Sequence, residues 1–195
     1  IIKSGFNGIF LVASNPVDII TYLVKKYSKF PAGKVIGSGT MLDTSRLAYL
    51  ISDKLEINIR DVSAYILGEH GDSSFAVWSS AKVGSVLIRE ILPQEELDKL
   101  LDKAKYMAYK IIELKNETSY GIGMCLVNIT NAILNNENKV LVVSSPYDDI
   151  YLGMPSVINE SGIKGIMKVE LTKEEEAKLK NSAKIIRQTI KSLEE

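Results

Sequence analysis

One histidine occurs in the 195 residues, His70, within the run Tyr65-Ile66-Leu67-Gly68-Glu69-His70-Gly71-Asp72-Ser73-Ser74. Ala64 to Leu67 is apolar and reads as a buried strand running into it. Gly68 and Gly71 bracket the histidine, and glycine allows tight turns and close approach of a ligand. An imidazole on such a loop, with carboxylates at Glu69 and Asp72, is suited to moving a proton near neutral pH. The same residues would also serve a solvent-facing histidine beside a turn. Asp43 and Arg46, three apart, project from neighbouring turns if this stretch is helical. They pair with each other or act together on a site; an exposed pair would contribute little.

The elements that must position these groups follow from the hydrophobic pattern. Gly8 to Ser14 is a short apolar run, as in a strand buried on both faces of a parallel sheet. Asn15-Pro16 stops it. Asp18 to Lys29 has helical spacing, with Lys25, Lys26 and Lys29 near the C-terminus, where cations suit the helix dipole. Val35-Ile36 is a second short strand, closing one βαβ unit. One such unit cannot form a doubly wound sheet, so its neighbours are missing or supplied elsewhere. The strand flanks of Gly8 to Ser14 and Val35-Ile36 are expected to be exposed and to drive self-association.

From Leu42 the chain is helical, with Leu42, Leu47, Leu50, Ile51 and Leu55 on one face. Val62 to Leu67 is the strand leading to His70, and Phe75 to Trp78 is extended. Pro93 with Glu95 and Glu96 opens a long helix to Lys115. Its inward residues are Leu97, Leu100, Leu101, Ala104, Met107, Ala108, Ile111 and Ile112. A further helix reaches about Leu134, and Thr118 is placed to be its N-cap. Lys139–Ser144, Ile150–Met154, Ser156–Asn159 and Ile163–Val169 read as strands of a mainly antiparallel sheet. Thr172 and Glu175 form a capping box for a last amphipathic helix.

Bulk properties exclude several classes. Basic and acidic residues balance at 24 each, so no net field favours nucleic acid or an anionic membrane surface. Hydrophobic residues make up 46% of the chain, enough for a proper core. Cys125 is the single cysteine, which rules out an intrachain disulfide. It lies in an apolar stretch, as a core residue, and a reducing, cytoplasmic setting fits. No apolar run approaches the roughly 18 residues of a membrane span. Ile1-Ile2-Lys3-Ser4-Gly5 does not resemble a signal peptide. It reads as the end of a helix in a longer protein. Asn116, Asn128 and Asn159 match the glycosylation pattern only by chance.

Five motifs occur in order: Ser14-Asn15-Pro16-Val17-Asp18, Val35-Ile36-Gly37-Ser38-Gly39, Leu42-Asp43-Thr44-Ser45-Arg46, Gly68-Glu69-His70-Gly71-Asp72-Ser73 and Thr118-Ser119-Tyr120. Together they resemble the lactate/malate dehydrogenase family over about its last two-thirds. The resemblance implies an α/β plus α+β architecture: residues 1–36 end a Rossmann dinucleotide-binding domain, and 37–195 form the mainly antiparallel catalytic domain. It implies NAD as cofactor, pyruvate and L-lactate as substrates, and a cytoplasmic homo-tetramer as the parent assembly. It also implies roles. His70 resembles the proton donor and Asp43 the carboxylate that fixes its tautomer and raises its pKa. Arg46 resembles the residue gripping the substrate carboxylate, a task for a planar two-pronged donor. Asn15 resembles a contact to the nicotinamide ribose that also orders the substrate site. Ser38 resembles a contact to the nicotinamide amide, and Thr118 a wall of the substrate pocket. The Asn15-Pro16 bond is expected to be cis.

Two departures from the family pattern accompany the match. The glycine-rich dinucleotide turn and the loop carrying a second arginine do not occur in these residues, so this chain alone is expected to bind NAD poorly and turn over little. The two basic positions through which fructose 1,6-bisphosphate activates many bacterial members are Ala48 and Ser63 here. Malate dehydrogenase, or an inert interaction domain of the same fold, are the competing readings; Gly68-Glu69-His70 leans to lactate.

Overall fold

The computed structural model describes residues 1–194. In chain order the elements are β1 (Phe10–Val12), α1 (Val17–Ser28), β2 (Val35–Gly37), α2 (Met41–Leu55), β3 (Val62–Ser63), β4 (Ile66–Leu67) and β5 (Phe75–Ala76). Then come β6 (Lys82–Val83), β7 (Val86–Leu87), α3 (Ile88–Ile91), α4 (Gln94–Lys115) and α5 (Tyr120–Leu134). The chain ends with β8 (Lys139–Tyr147), β9 (Ile150–Asn159), β10 (Gly162–Ile166) and α6 (Lys173–Glu194).

One five-stranded sheet, in the order β1-β2-β8-β9-β10, organises the molecule. β1 and β2 are parallel, as a βαβ unit requires, and the remaining pairs are antiparallel. The sheet is therefore mixed. The neighbour that β2 needs comes from far along the chain, through the Gly37–Ser144 pairing with β8. This corrects the expectation of exposed flanks at both strands. Val35 and Ile36 are fully buried because β2 is an interior strand. Of these two strands, β1 is the one at an edge of the sheet, and Phe6, Phe10 and Phe30 cluster about it with ring centroids 5.0–5.8 Å apart.

Other expectations need correction. Val62 to Leu67 is two strands, because Val62–Ser63 pairs with β6 while Ile66–Leu67 pairs with β5 in a separate ribbon. Ile150 to Asn159 is one strand despite Pro155. The Pro155 carbonyl accepts from Met167 N, so its missing N–H would point the same way, where the β10 ladder ends at Ile166. The apolar residues of α2 do not share one face. Leu47 and Ile51 pack with Trp78, Ile88 and Leu97, whereas Leu42 packs with Ile36, Cys125 and Ile129. Along α4, Leu97, Leu100 and Ala104 are buried, but Ile112 is 44% exposed, because the last turns of α4 leave the core. α5 starts with Ser119 at its N-cap, not Thr118, and no side chain caps it.

Three clusters form the core. The first joins Ile19 of α1, Leu67, Phe75, the β8–β9 hairpin and one face of α6. Cys125 is buried in the third cluster, as expected, and burial pushes its thiol up to about 11. The capping box at α6 is present: Glu175 N donates to Thr172 Oγ1 (3.2 Å) and Thr172 N to Glu175 Oε2 (2.9 Å). Glu175 also accepts from the Ser79 backbone and hydroxyl, at 3.0 and 2.6 Å, tying α6 to the segment after β5. Among the described residues, no helix is long and apolar enough to cross a membrane.

Candidate active site

The loop bearing His70 leaves β4 through Gly68, whose φ of 94° lies in the region that favours glycine. Gly68 pairs with Gly153 of β9 by two backbone bonds, N to O at 3.1 Å and the reverse at 2.8 Å. A Cβ on Gly153 would lie 2.4 Å from Thr40 Oγ1 and 2.8 Å from Gly68 O, so the close approach requires glycine. α6 holds the same loop: Glu69 N donates to Ser182 Oγ (2.6 Å), and Ser182 Oγ lies 2.9 Å from Ser73 Oγ. The Ser73 hydroxyl in turn bonds the Glu69 carboxylate.

α2 supplies the partner of the imidazole. Its first turns are tied to β4, with Thr40 Oγ1 donating to Ile66 O (2.6 Å) and Ile66 N donating to Thr44 Oγ1 (3.0 Å). That fixes Asp43 beside the strand that ends at His70. Asp43 Oδ2 lies 2.6 Å from His70 Nδ1, and Asp43 Oδ1 lies 3.4 Å from Arg46 Nη1. Asp43 and Arg46 are both buried, while the His70 side chain keeps 28% exposure. The hydrogen bond to Asp43 raises the His70 pKa above its usual value, against the opposing effect of burial. Nδ1 is engaged, so the arrangement leaves Nε2 to exchange a proton with a bound molecule.

The other residues singled out in the sequence occupy distinct places. Arg46 and Thr118 line one cavity of about 310 Å³, with Leu42, Met107, Ile111 and Tyr120 among its walls. His70, Asp43, Asn15 and Ser38 are not part of that lining. Asn15 is exposed, just past β1, and the Asn15-Pro16 bond is cis. Ser38 is buried just past β2, its N–H donating to Val12 O at 2.8 Å. Asn15 and Ser38 thus stand at the carboxyl ends of adjacent parallel strands, where open α/β sheets bind dinucleotides.

Asp18 is the site residue that sequence reasoning misses. It lies in the first turn of α1 and is 2% exposed. Its Oδ2 accepts from the His70 backbone N–H (2.8 Å), and its Oδ1 accepts from Ser144 Oγ (2.6 Å). Burial pushes its pKa up to about 6, partly offset by those two hydrogen bonds and by the nearby imidazole. The one available signal is an acid among the apolar residues that open α1. In a sequence that reads as an ordinary first-turn acid at a helix N-terminus.

Residues 40–195 match the lactate/malate dehydrogenase alpha/beta C-terminal domain, and residues 1–37 match the NAD binding domain of the same family. L-lactate dehydrogenase 2 of Bacillus anthracis is 48% identical over 97% of this chain and 64% of its own length. L-lactate dehydrogenase of Priestia megaterium is 45% identical over 97% of this chain and 63% of its own. The crystal structure of MGS-M5, a lactate dehydrogenase from a Medee basin deep-sea metagenome library, superposes with a TM-score of 0.96 at 46% identity, covering 99% of this chain and 66% of that one. The minor L-lactate dehydrogenase of Enterococcus mundtii, solved in a ligands-bound form, gives 0.95 at 44% identity, with 97% and 64% covered. The chain thus spans just under two-thirds of the length of these relatives. With a match across both segments and the Asp43–His70 pair in place, the chain belongs to the lactate/malate dehydrogenase family.

Proposed function

We propose that the chain is the catalytic part of an NAD-dependent L-lactate dehydrogenase, interconverting L-lactate and pyruvate. The observation that carries the reading is the Asp43–His70 contact of 2.6 Å, with Arg46 on the same carboxylate. The names of relatives at 43–48% identity favour lactate over malate. Residues 1–36 would close the dinucleotide-binding domain, and 37–195 would form the catalytic domain. A homo-tetramer in the cytoplasm is the proposed setting. An apolar stripe on α5, with Tyr120 80% and Met124 60% exposed, supports association of copies.

The residues present fit the nicotinamide end of the cofactor: Asn15 and Ser38 at the strand ends would hold it. NADH, when bound, supplies the hydride that adds to C2 of pyruvate. Arg46 would orient the substrate carboxylate by paired N–H donors. His70, protonated, would donate from Nε2 to the carbonyl oxygen as it becomes the hydroxyl of lactate. Asp43 would hold the resulting neutral imidazole in the tautomer that keeps Nδ1–H. Thr118 would bound the pocket beside Arg46. In the oxidative direction His70 starts neutral and accepts the hydroxyl proton.

The test is NADH oxidation by the full-length protein with pyruvate and with oxaloacetate. Faster turnover per unit KM with pyruvate is expected. Preference for oxaloacetate would establish the malate reading, and activity with neither would leave an inert domain of the same fold.

A further inference from the structure

We propose that Lys105 of α4 is a positioning residue for the proton donor: its ammonium holds the Asp72 end of the His70 loop against the helix that walls the Arg46 cavity. This rests on the reading of His70 as the proton donor. Three observations point to it. Lys105 Nζ donates to the Asp72 carbonyl at 2.9 Å, across 33 residues, so the bond joins a helix to the main chain of the loop. The lysine is half-buried, and burial pushes its pKa down against the pull of nearby carboxylates. Ala104 is the last buried residue of α4, whereas Met107 and Ile111, further along the helix, line the cavity with Arg46 and Thr118. Lys105 thus stands where α4 passes from the core to the candidate substrate cavity.

A lysine on a solvated helix face keeps its long side chain free in water, because fixing it costs rotamer entropy. Lys105 is instead fixed to a carbonyl two residues beyond the imidazole. The charges around its ammonium come from four places: Asp102 on α4 itself, Asp72 on the loop, Asp43 on α2 and, with the opposite sign, Lys178 on α6. Three carboxylates therefore favour the ammonium there, and one of them is the carboxylate that orients His70. Other ties of the loop lie at Gly68, Glu69, His70 and Ser73. Lys105 adds one at Asp72. Adjacent turns of a helix move together, so a displacement of the cavity wall at Met107 is carried to the loop. The bond keeps the proton donor in register with the cavity, where an error of an ångström matters.

Lys105→Met keeps an unbranched apolar stem and removes the donor. In the full-length protein kcat for pyruvate should fall by roughly 10-fold, within the 10²-fold that a 1 Å misplacement can cost, with a smaller change in KM. Lys105→Arg keeps a cationic donor and should restore most of the rate. A lysine with a merely structural role would lower stability in urea and leave kcat alone, so unchanged kcat in folded Lys105→Met overturns the proposal. An arginine variant as slow as the methionine one overturns it too, because the effect would then not lie in the donated bond. On the 195-residue chain itself, hydrogen exchange at the Gly71 and Ser74 amides should quicken several-fold in Lys105→Met, while the β8–β9 amides keep their rates. Unchanged exchange in the loop also overturns the proposal. Exchange needs no turnover, so a wild-type protein inactive on pyruvate would remove the dehydrogenase reading and leave the Lys105 tie to be judged by exchange.

Discussion

His70 holds its proton above its usual pKa because Asp43 accepts from Nδ1 at 2.6 Å. Pyruvate reduction, which needs the protonated ring, should therefore persist above pH 6.5 and fall as pH rises through the raised value. Lactate oxidation should rise over the same range. Asp43→Asn should move both limbs to lower pH, as read from kcat/KM profiles of the full-length protein. His70→Asn should cut turnover by roughly 10²–10⁴-fold, the usual contribution of a general acid. Arg46→Lys keeps charge but loses the fork, so KM for pyruvate should suffer first. Asp18 behaves oppositely in stability. Its folded pKa of about 6 stands above the ordinary value of 3.8. Its favourable contribution is therefore full below pH 3.8 and lost as pH rises through 6. Keeping it ionised near pH 8 costs about 3 kcal/mol at 1.36 kcal/mol per unit. Urea unfolding from about pH 4 to pH 8 should therefore show a smaller loss of stability with rising pH in Asp18→Asn than in wild type.

Among the elements, the loop from Gly68 to Ser74 depends on four others. β9 meets it at Gly153, α6 at Ser182, α1 at Asp18 and α2 at Asp43. Gly153→Ala would place a methyl 2.4 Å from Thr40 Oγ1 and 2.8 Å from the Gly68 carbonyl. The loop or β9 must shift, with a loss of about 1–3 kcal/mol by denaturant titration. The His70 NMR midpoint should drop with it as the Asp43 contact loosens. Glu175 plays a comparable part for α6. Glu175→Ala leaves the Ser79 and Thr172 N–H groups without their carboxylate, at a cost of about 1–3 kcal/mol where these groups stay buried.

For the whole molecule, the continuity of the sheet across Gly37 and Ser144 makes the βαβ unit and the antiparallel strands one body. A single cooperative unfolding transition is expected, with fluorescence of Trp78 and far-UV circular dichroism coinciding. The exposed α5 stripe and the β1 edge leave apolar surface for association, so light scattering should show mass rising with concentration. A concentration-independent monomer would argue against the proposed oligomer. Ala48 and Ser63 offer no cation to a phosphate, so fructose 1,6-bisphosphate should leave pyruvate turnover by the full-length protein unchanged.

The sequence alone determined the long helices, because α1, α4 and α6 repeat their apolar residues over several turns and carry start signals such as Pro93 and the Thr172–Glu175 box, whereas the four-residue α3 was not read. It also pointed to His70, Asp43 and Arg46, since residue type and motif order are local properties. What it left open depended on partners distant in the chain. That β2 is interior follows from pairing with β8 more than a hundred residues later, and no local pattern encodes that neighbour. The break between β3 and β4 follows from their separate partners. Thr118 lines a cavity with Arg46 instead of capping α5, because the chain enters that helix through Ser119. Asp18 shows nothing unusual in sequence. Only the tertiary structure brings its buried carboxylate to the His70 backbone across 52 residues, because a buried charge is defined by what surrounds it.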